Sequence, residues 1–229
     1  FLKSDGSLWA MGRNSEGQLG DGTTTGRTSP IQVISSGVTQ IDAGFRHSLF
    51  LKSDGSLWAM GQNSEGQLGV GDTTQRTSPT QVVASGVAQI AVGSKFSLFL
   101  KSDGSLWGMG LNNNGQLGTG NTTNQNSPIQ ILSSGVSQVA PGLEHSLFLK
   151  SDGSLWGMGY NNYGNLGNGN TTRQITPIQI VASGVAQVAA GIYHSLFLKS
   201  DGSLHAMGRN NYGQLGVGDT TQRTSPTQI

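Results

Sequence analysis

Twelve residues, FLKSDGSLWAMG, begin the chain at Phe1 and return with few changes at Phe50, Phe99, Phe148 and Phe197, always 49 residues on. No insertion or deletion falls between copies. Self-similarity at such a period marks a repeat architecture, in which each unit buries its faces only against its neighbours. The chain therefore reads as one array over residues 1–229, with repeats 1–49, 50–98, 99–147, 148–196 and an incomplete 197–229.

The span from Val38 to Val83 shows what one unit folds into. VTQIDAG (38–44) is a short strand-like run closed by Gly44. HSLFLKS (47–53) is apolar on both faces, as a strand buried on both sides would be. Asp54-Gly55 is a hairpin signal, because glycine accepts the positive φ that such turns need. SLWAM (56–60) reads as a third strand, and a long polar, glycine-rich stretch too irregular for a helix follows it. TSPTQVV (77–83) supplies a fourth strand, with Pro79 near its start where a missing N–H is tolerated.

Four short antiparallel strands per unit and no helical period predict an all-β fold, a β-propeller of four-stranded blades with about five blades present. A β-solenoid is the second reading, but its coils are shorter and lack hairpin turns. Small residues in the first strand (Ala43, Ala91, Ala140, Ala189, Ala190) suit the strand nearest a crowded axis. The chain starts inside one repeat and stops 33 residues into the fifth, so it is read as a segment of a longer parent, the alternative being a five-bladed ring whose terminal pieces share one blade. Open blade edges would then offer a route to self-association.

Charge sets limits on partners. The formal net charge is +1, and one Lys and one Asp per repeat (Lys3/Asp5 and their copies) cancel locally. The other charges are mixed in sign and form no run, which is poor material for gripping a phosphate backbone and argues against nucleic acid. No apolar run approaches the ~18 residues that would span a membrane. Cysteine is absent, so there is neither a disulfide framework nor a thiolate metal site. The Ser/Thr/Asn/Gln/Gly-rich surface is compatible with a secreted or cell-surface setting.

Laying the five copies over each other separates constant from variable positions. The Lys-Ser-Asp-Gly-Ser turn never changes. Variation gathers in the pair after the first strand (Phe45-Arg46, Ser94-Lys95, Leu143-Glu144, Ile192-Tyr193) and in the loop after the third strand. The first loop position holds Arg13, Gln62, Leu111, Tyr160 and Arg209; the fourth holds Glu16, Glu65, Asn114, Tyr163 and Tyr212. Antiparallel geometry puts the one–two turn and the three–four loop at the same end of a blade. All four tyrosines of the chain (Tyr160, Tyr163, Tyr193, Tyr212) fall in these slots. Phe45, Leu111, Leu143 and Ile192 add apolar groups there, with Arg13, Arg46, Lys95, Glu144 and Arg209 around them. Aromatics and arginine within a polar surround are the stuff of protein-binding hot spots.

The constant residues carry a resemblance. G-Q-L-G-x-G (Gly17–Gly22, Gly66–Gly71), A-G-x-x-H-S-L (Ala43–Leu49, Ala190–Leu196) and D-G-S-L-W-x-M-G resemble the regulator of chromosome condensation repeat, over the whole chain. The resemblance implies a seven-bladed propeller whose face grips another protein. Family members include nucleotide-exchange factors, a plant photoreceptor and a secreted bacterial inhibitor protein. Here the exchange factor's inserted wedge and basic tail are missing. The four tryptophans (Trp9, Trp58, Trp107, Trp156) share one strand position, unlike the photoreceptor's cluster. The uniform repeats are similar to those of bacterial members.

Catalytic and metal chemistry find little support. His47, His145 and His194 share one position that Phe96 fills in the remaining copy, which reads as packing with an internal hydrogen bond. His205 stands where the other copies have Trp. Asp72 and Asp219 in GDTT loops hint at a cation, but they lack the dense oxygen series calcium prefers. No acid pair, nucleophile or phosphate loop is nominated, and no cofactor or metal is expected. The expected function is non-catalytic protein binding through the variable loops, with a lectin-like or structural spacer module as the alternative.

Overall fold

The computed structural model describes residues 1–229 as strands and turns, without a helix that could cross a membrane. The chain divides into two compact units, residues 1–111 with 124–130, and residues 112–123 with 131–229. In the first, β1 (Leu8–Gly12) pairs with β2 (Arg27–Ile34) as a two-stranded sheet. Next come β3 (Val38–Ala43), β4 (His47–Lys52), β5 (Leu57–Gly61) and β6 (Arg76–Val83), hydrogen-bonded in chain order. The same sheet recurs as β7 (Val87–Val92), β8 (Phe96–Lys101), β9 (Leu106–Gly110) and β10 (Gln125–Leu132). The second unit repeats it twice. Its first sheet is β11 (Val136–Pro141), β12 (His145–Lys150), β13 (Leu155–Gly159) and β14 (Gln174–Val181). Its second is β15 (Val185–Ala190), β16 (His194–Lys199), β17 (Leu204–Gly208) and β18 (Arg223–Gln228).

Local chemistry explains these boundaries. At the β4–β5 turn, Gly55 N–H donates to Lys52 O at 2.9 Å and Lys52 N–H to Ser56 O at 3.0 Å. Gly55 alone takes positive φ (+76°), with Asp54 accepting the Ser56 N–H through Oδ1 at 2.9 Å. The loop thus has three residues closed by a left-handed glycine, not the two-residue mirror-image turn, which would need positive φ at Asp54 too. The last strand of every sheet, β2 in the two-stranded one and the fourth strand in the others, pairs on one side only. This is where Pro30, Pro79, Pro128, Pro177 and Pro226 sit, since a central strand would lose a ladder hydrogen bond there.

Alternation along the second strand builds the core. In the first unit Leu49, Leu51, Leu57 and Ala59 of one sheet pack with Val87, Ile90, Phe99 and Met109 of the next. Phe50, on the opposite face, packs with Leu8, Val38 and Met60. In the second unit Leu147, Leu149 and Leu155 meet Val188, Phe197 and Met207. Each of the larger of these side chains contributes about 1.5–3 kcal/mol by burial. Ala91 and Ala140 are buried as a crowded first strand would require, but Ala43 and Ala189 are exposed.

The tryptophans are structural. Each indole N–H donates to the serine two residues earlier, as from Trp58 to Ser56 Oγ at 2.8 Å, and a lysine Nζ lies 4.1–4.6 Å from each ring. His205 keeps both neighbours of the residue it replaces. It stacks on Phe197 at 4.9 Å and meets Ser203 Oγ through Nε2 at 3.2 Å.

Candidate functional site

The long polar loops are held by a buried asparagine that the sequence repeats without exception. Asn63 Oδ1 accepts the Leu68 N–H at 2.9 Å, while its Nδ2 donates to Asp72 O at 2.9 Å and Thr74 O at 3.1 Å. Asn14, Asn112, Asn161 and Asn210 do the same in their loops. One amide therefore satisfies three backbone groups that a glycine-rich loop would otherwise leave to water. Sequence reasoning passed over this residue. Its signal was its presence at the same place in all five copies.

Backbone hydrogen bonds join the variable segments as antiparallel geometry requires. The first loop position donates its N–H to the second residue of the variable pair: Gln62 to Arg46 O, Leu111 to Lys95 O, Tyr160 to Glu144 O and Arg209 to Tyr193 O, all at 2.9 Å. The constant turns meet each other instead, with Ser53 N–H donating to Gly37 O and Ser200 N–H to Gly184 O, both at 2.9 Å.

Side chains 30 residues apart then pair in matched chemistry. Arg46 Nη1 lies 3.3 Å from Glu16 Oε1, and Lys95 Nζ 3.4 Å from Glu65 Oε1. In the second unit Asn114 Nδ2 donates to Glu144 Oε2 at 3.0 Å. Tyr163 and Tyr193 fill the next such pair, with ring centroids 5.1 Å apart. Each pair links the loop of one sheet to the turn of the next, so Arg46, Lys95 and Glu144 already have partners within the chain.

Tyr160 joins the last pair, 6.1 Å from Tyr163 and 5.5 Å from Tyr193, all tilted as aromatic quadrupoles prefer. Burial, the neighbouring Tyr163 and Tyr193 hydroxyls and the Glu144 carboxylate all raise the Tyr160 pKa, which keeps that ring a neutral phenol. The Arg209 guanidinium lies 5.3 Å from the Tyr163 ring, 5.9 Å from Tyr193 and 5.6 Å from Tyr212. Tyr212 is 85% exposed and Ile192 60% exposed, while Leu143 is half-buried. The structure thus gathers Tyr160, Tyr163, Tyr193, Tyr212 and Arg209 in one place.

In the first unit a cleft of about 620 Å³ lies along β1 and β3, lined by Trp9, Met11, Arg13, Asp42, Phe45 and Arg46. Phe45 is 67% exposed with the Arg46 guanidinium 5.3 Å from its ring. Arg13 Nε donates to Ser15 Oγ at 2.9 Å, and Leu111 is half-buried. Burial raises the Asp42 pKa although its carboxylate accepts the Val92 and Ala43 N–H groups, both at 2.8 Å.

His47, His145 and the loop aspartates have internal partners. His47 Nε2 lies 2.9 Å from Ser97 Oγ, and that hydroxyl donates to Gln67 O at 2.8 Å. Its one proton being spent, the serine must accept, which fixes the imidazole proton on Nε2. His145 repeats this with Ser195 at 2.9 Å. Desolvation pushes His47 down to about 4 and His145 to about 3, so both are neutral. The GDTT carboxylates hold arginine: Asp72 pairs with Arg76 at 2.7 Å and Asp219 with Arg223 at 2.6 Å.

Comparison with known proteins places this geometry. A family model described as the RCC1-like domain matches residues 1–229. A search of curated protein sequences gives no match. Among solved structures, human WBSCR16 aligns with a TM-score of 0.87 and 27% identity, covering 99% of this chain and 63% of that one. Prp20p from Saccharomyces cerevisiae, described with its binding to Gsp1p and histones, aligns at 0.86 and 25%, covering 100% and 60%. Yeast RCC1 (Prp20) bound to Kap60 gives 0.87 and 23%, covering 100% and 58%. This chain therefore spans less than two thirds of the structures it matches, and its sheets are blades of a β-propeller segment.

Proposed function

The chain belongs to the RCC1-like domain family, and from that premise we propose that it is a non-catalytic protein-binding propeller that grips its partner with the variable loops of the second unit. The observation that carries the proposal is the gathering of Tyr160, Tyr163, Tyr193, Arg209 and Tyr212 beside the exposed Ile192. Large, rigid aromatic surface costs little conformational entropy to immobilise, and Tyr and Arg dominate measured hot spots. A polar surround of Asn162, Asn211 and Glu144 gives the rim that excludes water. Prp20p, which is similar in fold, is described as binding Gsp1p and histones. That supports a protein as the class of partner without naming it. The insertion-free repeats support a place among bacterial members of the family.

A photocrosslinking amino acid at position 192 or 212 tests the reading against one at Ser151 or Ser200 on the constant turns. Both variable positions are expected to capture the same protein, and the constant turns none. With that protein purified, Tyr193→Ala combined with Tyr212→Ala should weaken binding by at least ~2 kcal/mol, roughly 30-fold. Capture from the constant turns alone, or an unchanged affinity, would refute the assignment.

A further inference from the structure

Glu144 is the one glutamate of three that pairs with no cation. Glu16 pairs with Arg46 and Glu65 with Lys95, each acid on a loop and each base on a turn. The third such pair is reversed. Glu144 stands on the turn, and the loop sets against it Asn114, whose Nδ2 donates to Oε2 at 3.0 Å. A neutral amide satisfies a lone pair and leaves the charge in place. Segments of the chain flank this acid on both sides, with Asn114 in the preceding loop, Tyr160 in the loop of its own blade and Tyr193 in the next turn. None of these is a cation. Arg173 reaches the same preceding loop but donates to Asn113 O at 3.3 Å and makes no ion pair. The Arg209 guanidinium lies against the rings of Tyr163, Tyr193 and Tyr212, and not against Tyr160.

We infer that Glu144 and the face of Tyr160 form a receptor for a cation, and that the partner docks an arginine side chain there. This deepens the proposed function and rests on it. The backbone holds the two groups together, since Tyr160 N–H donates to Glu144 O at 2.9 Å. Burial comes first among the causes that raise the Tyr160 pKa, and the Glu144 carboxylate is another, so its charge acts on that ring. Asn114 occupies one oxygen of the carboxylate, and a second donor has Oε1 to meet. Both side chains are half-buried, where water screens a charge pair less than on an open surface. A lysine ammonium would serve the carboxylate alone. A guanidinium is planar and weakly hydrated, so it stacks on a tyrosine while it donates to an acid beside the ring. Charge complementarity then asks of the partner what Arg46 and Lys95 supply to Glu16 and Glu65 within the chain.

The test uses a displayed library of random dodecapeptides selected on the 229-residue chain, with selected sequences then synthesised with free and with acetylated N-termini. Binders that depend on Tyr193 are expected to carry arginine. Replacing that arginine by citrulline, which keeps its shape without its charge, should weaken binding to the wild type roughly tenfold or more. The same replacement should have little further effect on Glu144→Gln, whose amide oxygen still accepts from Asn114. Lysine in place of the arginine should lose about threefold or more. Asn114→Lys gives Glu144 the internal cation that Lys95 gives Glu65, and should weaken the same binders roughly tenfold by filling the site. Circular dichroism of both variants should match the wild type. Tyr193-dependent binders that lack a basic residue, or wild-type affinity in Glu144→Gln, would overturn the receptor and leave the binding face standing. Equal binding with lysine would overturn the choice of arginine, and dependence on the free N-terminus would overturn the side-chain source. A library that yields no binder sensitive to Tyr193 would overturn the inference together with the face.

Discussion

Acid should destabilise this protein well before its carboxylates titrate, and two buried histidines should be the cause. His47 and His145 are neutral in the fold, with pKa values lowered by burial to about 4 and about 3. In the unfolded chain each returns to about 6.5. Below that value the unfolded state binds more protons than the folded one, so stability falls as pH falls, down to the folded pKa. At pH 5 the linkage amounts to about 2 kcal/mol for each group and about 4 kcal/mol together. His194, lowered by partial burial, acts in the same direction. The aspartates with lowered pKa values contribute little in this window. Asp21 is held at about 2 and the turn aspartates lie below their ordinary value. Asp42, raised by burial, opposes the trend when it protonates. The repeats themselves offer the control, because Phe96 fills this slot fully buried. Urea denaturation of the wild type and of His47→Phe/His145→Phe, from pH 7.5 to 5, measures the effect. The wild type should lose about 4 kcal/mol and the double variant only a minor part of that. A wild type with flat stability over the window, or a variant that keeps the full loss, would show that the reasoning fails.

Two further outcomes follow from contacts between successive blades. The Glu65–Lys95 pair is partly exposed, so a double-mutant cycle with Glu65→Gln and Lys95→Met should give a coupling of only ~0.2–1 kcal/mol that fades in high salt; a coupling of zero at low salt would contradict the pairing. Gly66 and Gly213 occupy equivalent positions with φ of +83° and +75°, and an alanine at either carries a backbone cost of roughly 1–2 kcal/mol. A Cβ on Gly66 would also lie 2.5 Å from Asn126 Cα, whereas nothing lies within 4 Å of one on Gly213. Gly66→Ala should therefore lower the urea midpoint clearly more, and equal losses would contradict the packing.

The strands were legible because their signals are local. HSLFLKS and TSPTQVV were read within a residue of β4 and β6, on alternation and on proline at an edge. The tyrosine slots were legible too, since comparison of copies needs no coordinates. What could not be read was the relation between slots 30 residues apart. Arg46 and Lys95 looked available to a partner, and only tertiary proximity to Glu16 and Glu65 shows that each is already engaged. Asn63 escaped for a different reason. An asparagine in a polar loop looks ordinary until its three backbone partners are in place.

The 30-residue pairs also bear on how such a chain can change its length. The repeat counted from Phe1 and the blade counted from Val38 are out of phase, so Glu16 and Arg46 lie in two blades but in one repeat. Loss or gain of a whole 49-residue repeat, cut at its phenylalanine, would carry both members of every pair along. Excising the blade from Val87 to Leu132 instead would set Glu65 opposite Glu144, two like charges. The unit that keeps the 30-residue pairs together is thus offset from the unit that folds, and the offset spares those pairs each time the array grows or shrinks.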